Sequence, residues 1–329
     1  MTDALMTRRS FATLACSAGL LPRSHAGTVW RLATGYPAEN FHTLNLMEMV
    51  KAVERATEGR LRIEVHPENS LVGLNGIRAA VQEGKVEAGE TIMSSLIAEF
   101  PLAGADSVPF ITDSYDDALR LWRIQRPLIE REMANRGLQV LYAVPWPPQG
   151  LYSTRPLRAM VDLRSMRMRA YNATTARIAA LMGAWAVDVP ATELDAALSD
   201  GRIDCMFTSA VTGVESRVWK TMRYFYEINA WFPKNIVFVQ SKAMAALDAR
   251  TRDVLQSTSA QFERRGWAES ATAASKSKDE LRRNGMQIEA APYMFGRDLK
   301  RLGERFSLDW VGQVGPQANE IFVPYFSRR

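Results

Sequence analysis

Hydrophobic and polar residues change period repeatedly along this chain. Residues 29–34 alternate as a strand, Gly35-Tyr36-Pro37 makes a turn, and residues 44–57 place apolar side chains at helical spacing. The order then repeats. Gly59 closes that helix, 61–65 reads as a strand, 74–83 as a short helix ending at Gly84, and 88–93 as a third strand. This rhythm predicts a mostly parallel sheet with helices on both faces, whose ligand sites lie at the carboxyl ends of strands. Residues 114–136 predict a long helix with Leu119, Leu121, Trp122, Ile124, Leu128, Ile129 and Met133 on its core-facing stripe, followed by a strand at 138–144.

The Pro-rich run Pro145-Trp146-Pro147-Pro148-Gln149-Gly150 breaks regular structure and suits a crossing between domains. Beyond it the rhythm restarts, with strands at 166–170, 186–189 and 203–208 and helices at 174–182 and 193–199. Residues 248–283 are charged and helical in pattern, and 301–329 are less regular, a packing element only. The expected architecture is α/β and two-lobed, with a ligand cleft between the lobes, a hinge, and a long helix in the C-terminal half. The expected divisions are 27–148 for lobe I, 149–240 for lobe II, and 241–329 for elements packing across both.

The N-terminus changes the picture of where the protein works. Thr7-Arg8-Arg9-Ser10-Phe11, an apolar stretch over 12–21 and Ser24-His25-Ala26 have the form of a cleavable export signal of twin-arginine type, covering 1–26. The apolar stretch is shorter than the roughly 20 residues that span a bilayer. Cys16 falls inside the signal, so the mature chain would keep only Cys205 and form no intramolecular disulfide. His25, His42 and His66 are dispersed, and no metal or other cofactor is expected.

The remaining bulk properties mostly exclude. A length of 329 residues with 47% hydrophobic and 23% charged positions is that of a folded protein with more than one core. The formal net charge of +5 is spread among acidic residues, with no basic stripe for nucleic acid. A Gly-x-Ser-x-Gly elbow, a phosphate-cradling glycine loop and a metal-ligand cluster are all missing, so no enzyme activity and no catalytic residue is expected.

Local motifs, in order across both halves, carry a resemblance. Glu58-Gly59-Arg60-Leu61-Arg62-Ile63-Glu64-Val65, Pro67-Glu68-Asn69-Ser70-Leu71-Val72-Gly73, Glu83-Gly84-Lys85-Val86-Glu87-Ala88 and Val108-Pro109-Phe110 resemble the first lobe of the solute receptors of tripartite ATP-independent periplasmic (TRAP) transporters, the DctP family. In the second half, Asp162-Leu163-Arg164-Ser165-Met166-Arg167-Met168-Arg169 is similar to the family's Asp-Leu-Lys-Gly-Leu-Lys-Ile-Arg strand. Ala197-Leu198-Ser199-Asp200-Gly201-Arg202-Ile203-Asp204 is similar to its Ala-Leu-Gln-Thr-Gly-Val-Val-Asp run. The resemblance covers nearly the whole mature chain. It implies a periplasmic binding protein fold and a periplasmic, monomeric receptor that binds a small organic carboxylate and delivers it to TRAP membrane subunits. A receptor serving a sensor kinase or another transporter class, and an exported enzyme, are the alternatives.

The same resemblance assigns Arg169 as the carboxylate ligand, since a guanidinium offers paired coplanar donors to two oxygens. Read from the residue alone, an interdomain salt bridge is the competing role for Arg169. Thr208 stands where the family often has a carboxylate-holding asparagine. Gln149 stands near the place of a second arginine in sialic-acid and dicarboxylate receptors, a departure that implies a monocarboxylate. Asn172 is placed either to cap a helix or to meet ligand. Trp146 and Phe207 are candidate aromatic walls, Asn235 a polar contact from a loop, and Tyr36 and Glu90 candidate first-lobe contacts at strand ends.

Overall fold

The computed structural model describes residues 27–190 and 193–327; the expected export signal at 1–26 lies outside the described residues. The chain forms two lobes, each built on one sheet. Lobe I carries β1 (Thr28–Ala33), β2 (Leu61–His66), β3 (Ala88–Ile92), β4 (Leu138–Pro145) and β10 (Lys234–Gln240), in the order β2-β1-β3-β10-β4. Lobe II carries β5 (Gly150–Ser153), β6 (Arg167–Ala170), β7 (Trp185–Asp188), β8 (Cys205–Thr208), β9 (Tyr224–Glu227) and β11 (Gln287–Ala290), in the order β11-β9-β5-β8-β6-β7.

Local chemistry sets the first elements where the pattern placed them. In β1, Trp30 and Leu32 point into a core completed by Leu46, Met49 and Val53 of α1 (Phe41–Ala56). Asn40 caps α1 by accepting the backbone N–H of His42 at 3.0 Å. At its other end Glu58 and Gly59 both take positive φ, turning the chain directly into β2.

Each sheet is mostly parallel, as expected, but carries one reversed strand. β10 runs antiparallel between β3 and β4, and β5 runs antiparallel to both β8 and β9. Residues 234–240 therefore belong to the first sheet, although the sequence division put them in lobe II. β11, expected among elements packing across the lobes, closes one edge of the second sheet. Both departures arise because the chain leaves a lobe and later returns to it. Two of the crossings pair: Trp146 N–H donates to Pro233 O at 2.7 Å, Gln149 N–H to Trp231 O at 3.0 Å, and Ala230 N–H to Gln149 O at 2.8 Å.

A third link is α8 (Ala249–Arg283), 35 residues and so about 50 Å long. Asp248 caps it, accepting Thr251 N–H at 2.9 Å. It packs on α1 and β4 in lobe I and on α6 (Ala210–Glu215) and β11 in lobe II. Trp267 and Glu263 fix it to β4: the Trp267 indole donates to Ala143 O at 3.0 Å, and Glu263 accepts from Ala143 N–H at 3.1 Å and from the Trp122 indole at 2.9 Å. The tail that read as irregular is helical as well. α9 (Tyr293–Val314) buries Phe295, Leu299, Phe306 and Trp310, and α10 (Ala318–Phe326) docks Tyr325 under α3 (Tyr115–Ala134), its hydroxyl donating to Ile111 O at 2.8 Å. Among the described residues no helix is long and apolar enough to cross a membrane.

β5 runs close against β9. A Cβ on Gly150 would lie 2.3 Å from the Phe225 ring and 2.8 Å from Tyr226 O, and backbone cannot retreat as a flexible side chain would. Gly150→Ala is expected to destabilise the protein by about 1–3 kcal/mol through overpacking. Urea unfolding measures it, and an unchanged midpoint contradicts this account of the contact.

Candidate functional site

β6 and β8 both end at the cleft, which puts Arg169 and Thr208 on its lobe II wall. The two arginines of β6 behave differently. Arg167 is clamped by Asp204, with Nε 2.9 Å from Oδ2 and Nη2 2.6 Å from Oδ1, and this guanidinium holds the Asp204 carboxyl below its usual range. Arg169 is 4% exposed. Its Nε donates to Val189 O at 2.9 Å, and its guanidinium carbon lies 4.8 Å from the centre of the Tyr171 ring. Among the described residues no carboxylate lies within 4.0 Å of it, so the interdomain salt bridge left open by the sequence is not formed by them. Burial lowers the Arg169 pKa, and the nearby Tyr171 hydroxyl acts against that shift. Among the described residues its Nη groups have no hydrogen-bond partner, and its charge meets only a carbonyl and a ring face.

The ring against this guanidinium is that of Tyr171, which packs on an apolar cluster that also holds Phe207, Trp231 and Phe232. Phe207, on β8, lies 6.4 Å from Phe110 of lobe I in an edge-to-face arrangement and 5.6 Å from Trp231 of the crossing. Phe110 holds φ at +64°, an uncommon backbone for a bulky residue, and its N–H donates to Ala230 O. Behind them Phe232 packs edge-to-face on Tyr115 at 5.1 Å. Thr208 is buried beside Phe207, opposite Gly150, with no hydrogen bond from its hydroxyl among the described residues.

Lobe I supplies two polar groups of different kinds. One is a buried ion pair that sequence reasoning missed: Lys234 Nζ lies 3.3 Å from Asp106 Oδ2, both side chains being 1% exposed. Asp106 also accepts the Lys234 backbone N–H at 2.9 Å and the Ser107 hydroxyl at 3.1 Å. Burial raises the Asp106 pKa and lowers that of Lys234, while their mutual attraction opposes both shifts. A lysine directly before Asn235 and the apolar run Ile236–Val239, and an aspartate inside the largely apolar run at 101–112, were the available signals.

The other group joins four residues the sequence had singled out separately. Asn235 Oδ1 accepts from the Tyr36 hydroxyl at 3.1 Å and from the Trp146 indole at 2.8 Å, and its amide donates to Glu90 Oε1 at 3.2 Å. Thr34 donates to Glu90 Oε2 at 2.6 Å. Asn235 lies in β10 rather than in a loop, its register fixed by Ile92 and Val144 on either side. Burial pushes the Glu90 pKa up to about 7 despite these hydrogen bonds, and holds the pKa of His42, whose ring packs 4.5 Å from Trp146, well below the usual histidine value. Tyr36 and Trp146 therefore brace one lobe I wall.

Two further candidates are satisfied locally. Asn172 caps α4 (Ala173–Leu181) through Thr175 N–H at 2.9 Å, which of its two expected roles is the structural one. Gln149 donates its amide to Pro147 O at 3.1 Å within the crossing. The lobes also touch at the cleft mouth, where Asn40 donates to Glu215 of α6 at 2.9 Å. A separate groove of about 480 Å³, lined by Tyr115, Pro148, Asn229, Phe232 and Lys278 among others, does not include Arg169.

The arrangement is that of a small-molecule receptor, and the comparisons agree. The model of the family described as bacterial extracellular solute-binding protein, family 7 (DctP), matches residues 32–295. The fold superposes on an extracytoplasmic solute receptor of Bordetella pertussis that binds pyroglutamic acid, with TM-score 0.88 and 36% identity, over 91% of this chain and 100% of that one. A TRAP solute-binding protein of a marine metagenome, specific for pyroglutamate, gives TM-score 0.86 and 32% identity, over 92% and 99%. A solute-binding protein of Albidiferax ferrireducens is 23% identical over 218 residues, which span 64% of each chain. With the family model matching most of its length and both lobes in place, this chain belongs to the DctP family of TRAP solute-binding proteins.

Proposed function

We propose that the chain captures a small organic monocarboxylate in the periplasm, closes its lobes over it, and presents it to TRAP membrane subunits. One observation carries the reading: a buried arginine near the end of β6 with no carboxylate of the described residues beside it. Charge counting supports a single carboxylate. Arg167 is balanced by Asp204 and Lys234 by Asp106, so Arg169 is the cleft cation left for a ligand among the described residues. The aromatic enclosure by Phe110, Phe207 and Trp231 suits a compact ring or branched apolar body. Pyroglutamate, the ligand of relatives at 36% and 32% identity, has both attributes.

Closure follows from where the contacts lie. The ligand would touch Arg169 on lobe II and aromatic and polar groups from lobe I and the crossings, and only contacts made better in the closed form can favour it. The paired crossings and α8 are the places where rotation would be absorbed.

The test is a thermal-shift screen of organic acids on the purified protein, since a ligand selective for the folded state raises its apparent stability. A monocarboxylate is expected to stabilise the protein and Arg169→Ala to weaken its binding by at least about 30-fold, the loss typical of removing one partner of a buried charge pair. Arg169→Lys is expected to fall between, because it keeps the charge and loses the fork. An acid that binds Arg169→Ala as tightly as the parent would move the site elsewhere.

The lobe I wall gives a pH signature. The Glu90 pKa is raised from 4.5 to about 7, so the folded protein holds a proton that the unfolded chain releases. Its contribution to stability is fully present below about pH 4.5 and is lost as pH rises through about 7. Glu90→Gln, compared with the parent by urea unfolding across that window, is expected to flatten the fall in stability; equal slopes would show that Glu90 does not titrate there.

A further inference from the structure

The Asp106–Lys234 pair is not used by the carboxylate capture above, and it is incomplete. Lys234 Nζ has no hydrogen bond aligned on an acceptor, although its side chain is almost wholly buried. An ammonium has three N–H donors, and leaving them unmade away from water is costly. Asp106 uses one lone pair on each oxygen, for the Ser107 hydroxyl and for the Lys234 backbone N–H, and keeps further accepting capacity.

The position of the pair points to the cleft. Lys234 follows Trp231-Phe232-Pro233 directly, and the Trp231 ring packs on Phe207. The Tyr171 ring, which lies against the Arg169 guanidinium, packs on the same apolar cluster as Phe207, Trp231 and Phe232. The pair and Arg169 therefore flank the same aromatic enclosure from opposite lobes.

We propose that Lys234 and Asp106 determine specificity by reading the amide edge of a cyclic amide acid, Nζ donating to the ring carbonyl and the Asp106 carboxylate accepting the adjacent N–H. This rests on the carboxylate reading of Arg169 and extends it to the far end of the ligand. A lactam is a cis amide, so its C=O and N–H lie side by side on one edge, as the ammonium and carboxylate do in the pair. The pair is neutral as a unit, so it rewards a neutral polar edge, and a second carboxylate on the ligand would meet Asp106.

Isothermal titration calorimetry with three five-membered ring acids tests the assignment: pyroglutamate, the lactone 5-oxotetrahydrofuran-2-carboxylate, which lacks the N–H, and cyclopentanecarboxylate, which lacks both groups. The parent protein is expected to bind pyroglutamate at least about tenfold more tightly than cyclopentanecarboxylate, with the lactone between, in keeping with hydrogen bonds to charged groups. The paired substitution Asp106→Leu with Lys234→Met removes both charges together and is expected to bring the three acids within about threefold of one another. Equal affinities in the parent would overturn the proposal, and a lactone no better than cyclopentanecarboxylate would remove Lys234 from it. In either case loss of binding in Arg169→Ala would leave the carboxylate reading standing, whereas a parent that binds none of the three overturns the assignment of the pair and leaves the carboxylate reading to be decided by the thermal-shift screen with Arg169→Ala. Should the paired variant not fold, the crystal structure of the parent with pyroglutamate decides, because a ring oxygen beyond about 3.2 Å from Nζ is outside hydrogen-bond reach and overturns the assignment.

Discussion

A guanidinium withdrawn from water needs an anion or a full set of acceptors, and among the described residues Arg169 has neither. Its single hydrogen bond, to Val189 O, aims the fork, and the face of Tyr171 supports it without neutralising it. Around this deficit the second lobe is arranged with its other charges withdrawn. Arg167, two residues earlier on the same strand, is held by Asp204, so β6 offers one unpaired cation to the cleft rather than two. The short parallel strands serve to bring the end of β6 beside the end of β8, placing Phe207 and Thr208 next to that cation.

Lobe I answers with groups that add little net charge. Glu90 is buried deeply enough to hold its proton close to neutrality, His42 is kept neutral, and Asp106 is matched by Lys234. An anionic ligand entering from the solvent would thus meet attraction from one lobe and no strong repulsion from the other. Such an arrangement lets binding and lobe closure be driven by the same contacts.

Much of the fold was legible because period and punctuation agree in the first lobe. The alternation before Gly35-Tyr36-Pro37, the cap at Asn40 and the turn at Glu58-Gly59 each belong to one local signal. The strands that went unread, β5, β9 and β11, are as short as β6, β7 and β8 but lie outside the strand–helix alternation that marked those three, and β10 was obscured by the loop-like Pro233 before it. The C-terminal helices were hidden differently: Gly315-Pro316 and Pro324 suggested irregularity, while the buried Phe295, Leu299, Phe306 and Trp310 already carried helical spacing. At the site, Arg169 was visible through its motif. Lys234 and Asp106 were not, because their pairing joins residues far apart in sequence, and the joint placement of Tyr36, Glu90, Trp146 and Asn235 depends on β10 running back between β3 and β4.

That returning strand also orders the birth of the molecule. β4 has no neighbour in its sheet other than β10, so a chain synthesised as far as the first crossing holds β3 and β4 as unpaired edges. The first lobe cannot finish until the strands of the second, except β11, have been made, and neither lobe is a contiguous piece that could be cut out whole. Pairing across so long an intervening segment makes folding slow relative to a local topology. The interleaving of the two lobes therefore leaves a protracted interval in which sticky strand edges are open, an interval during which a chaperone would have something to hold.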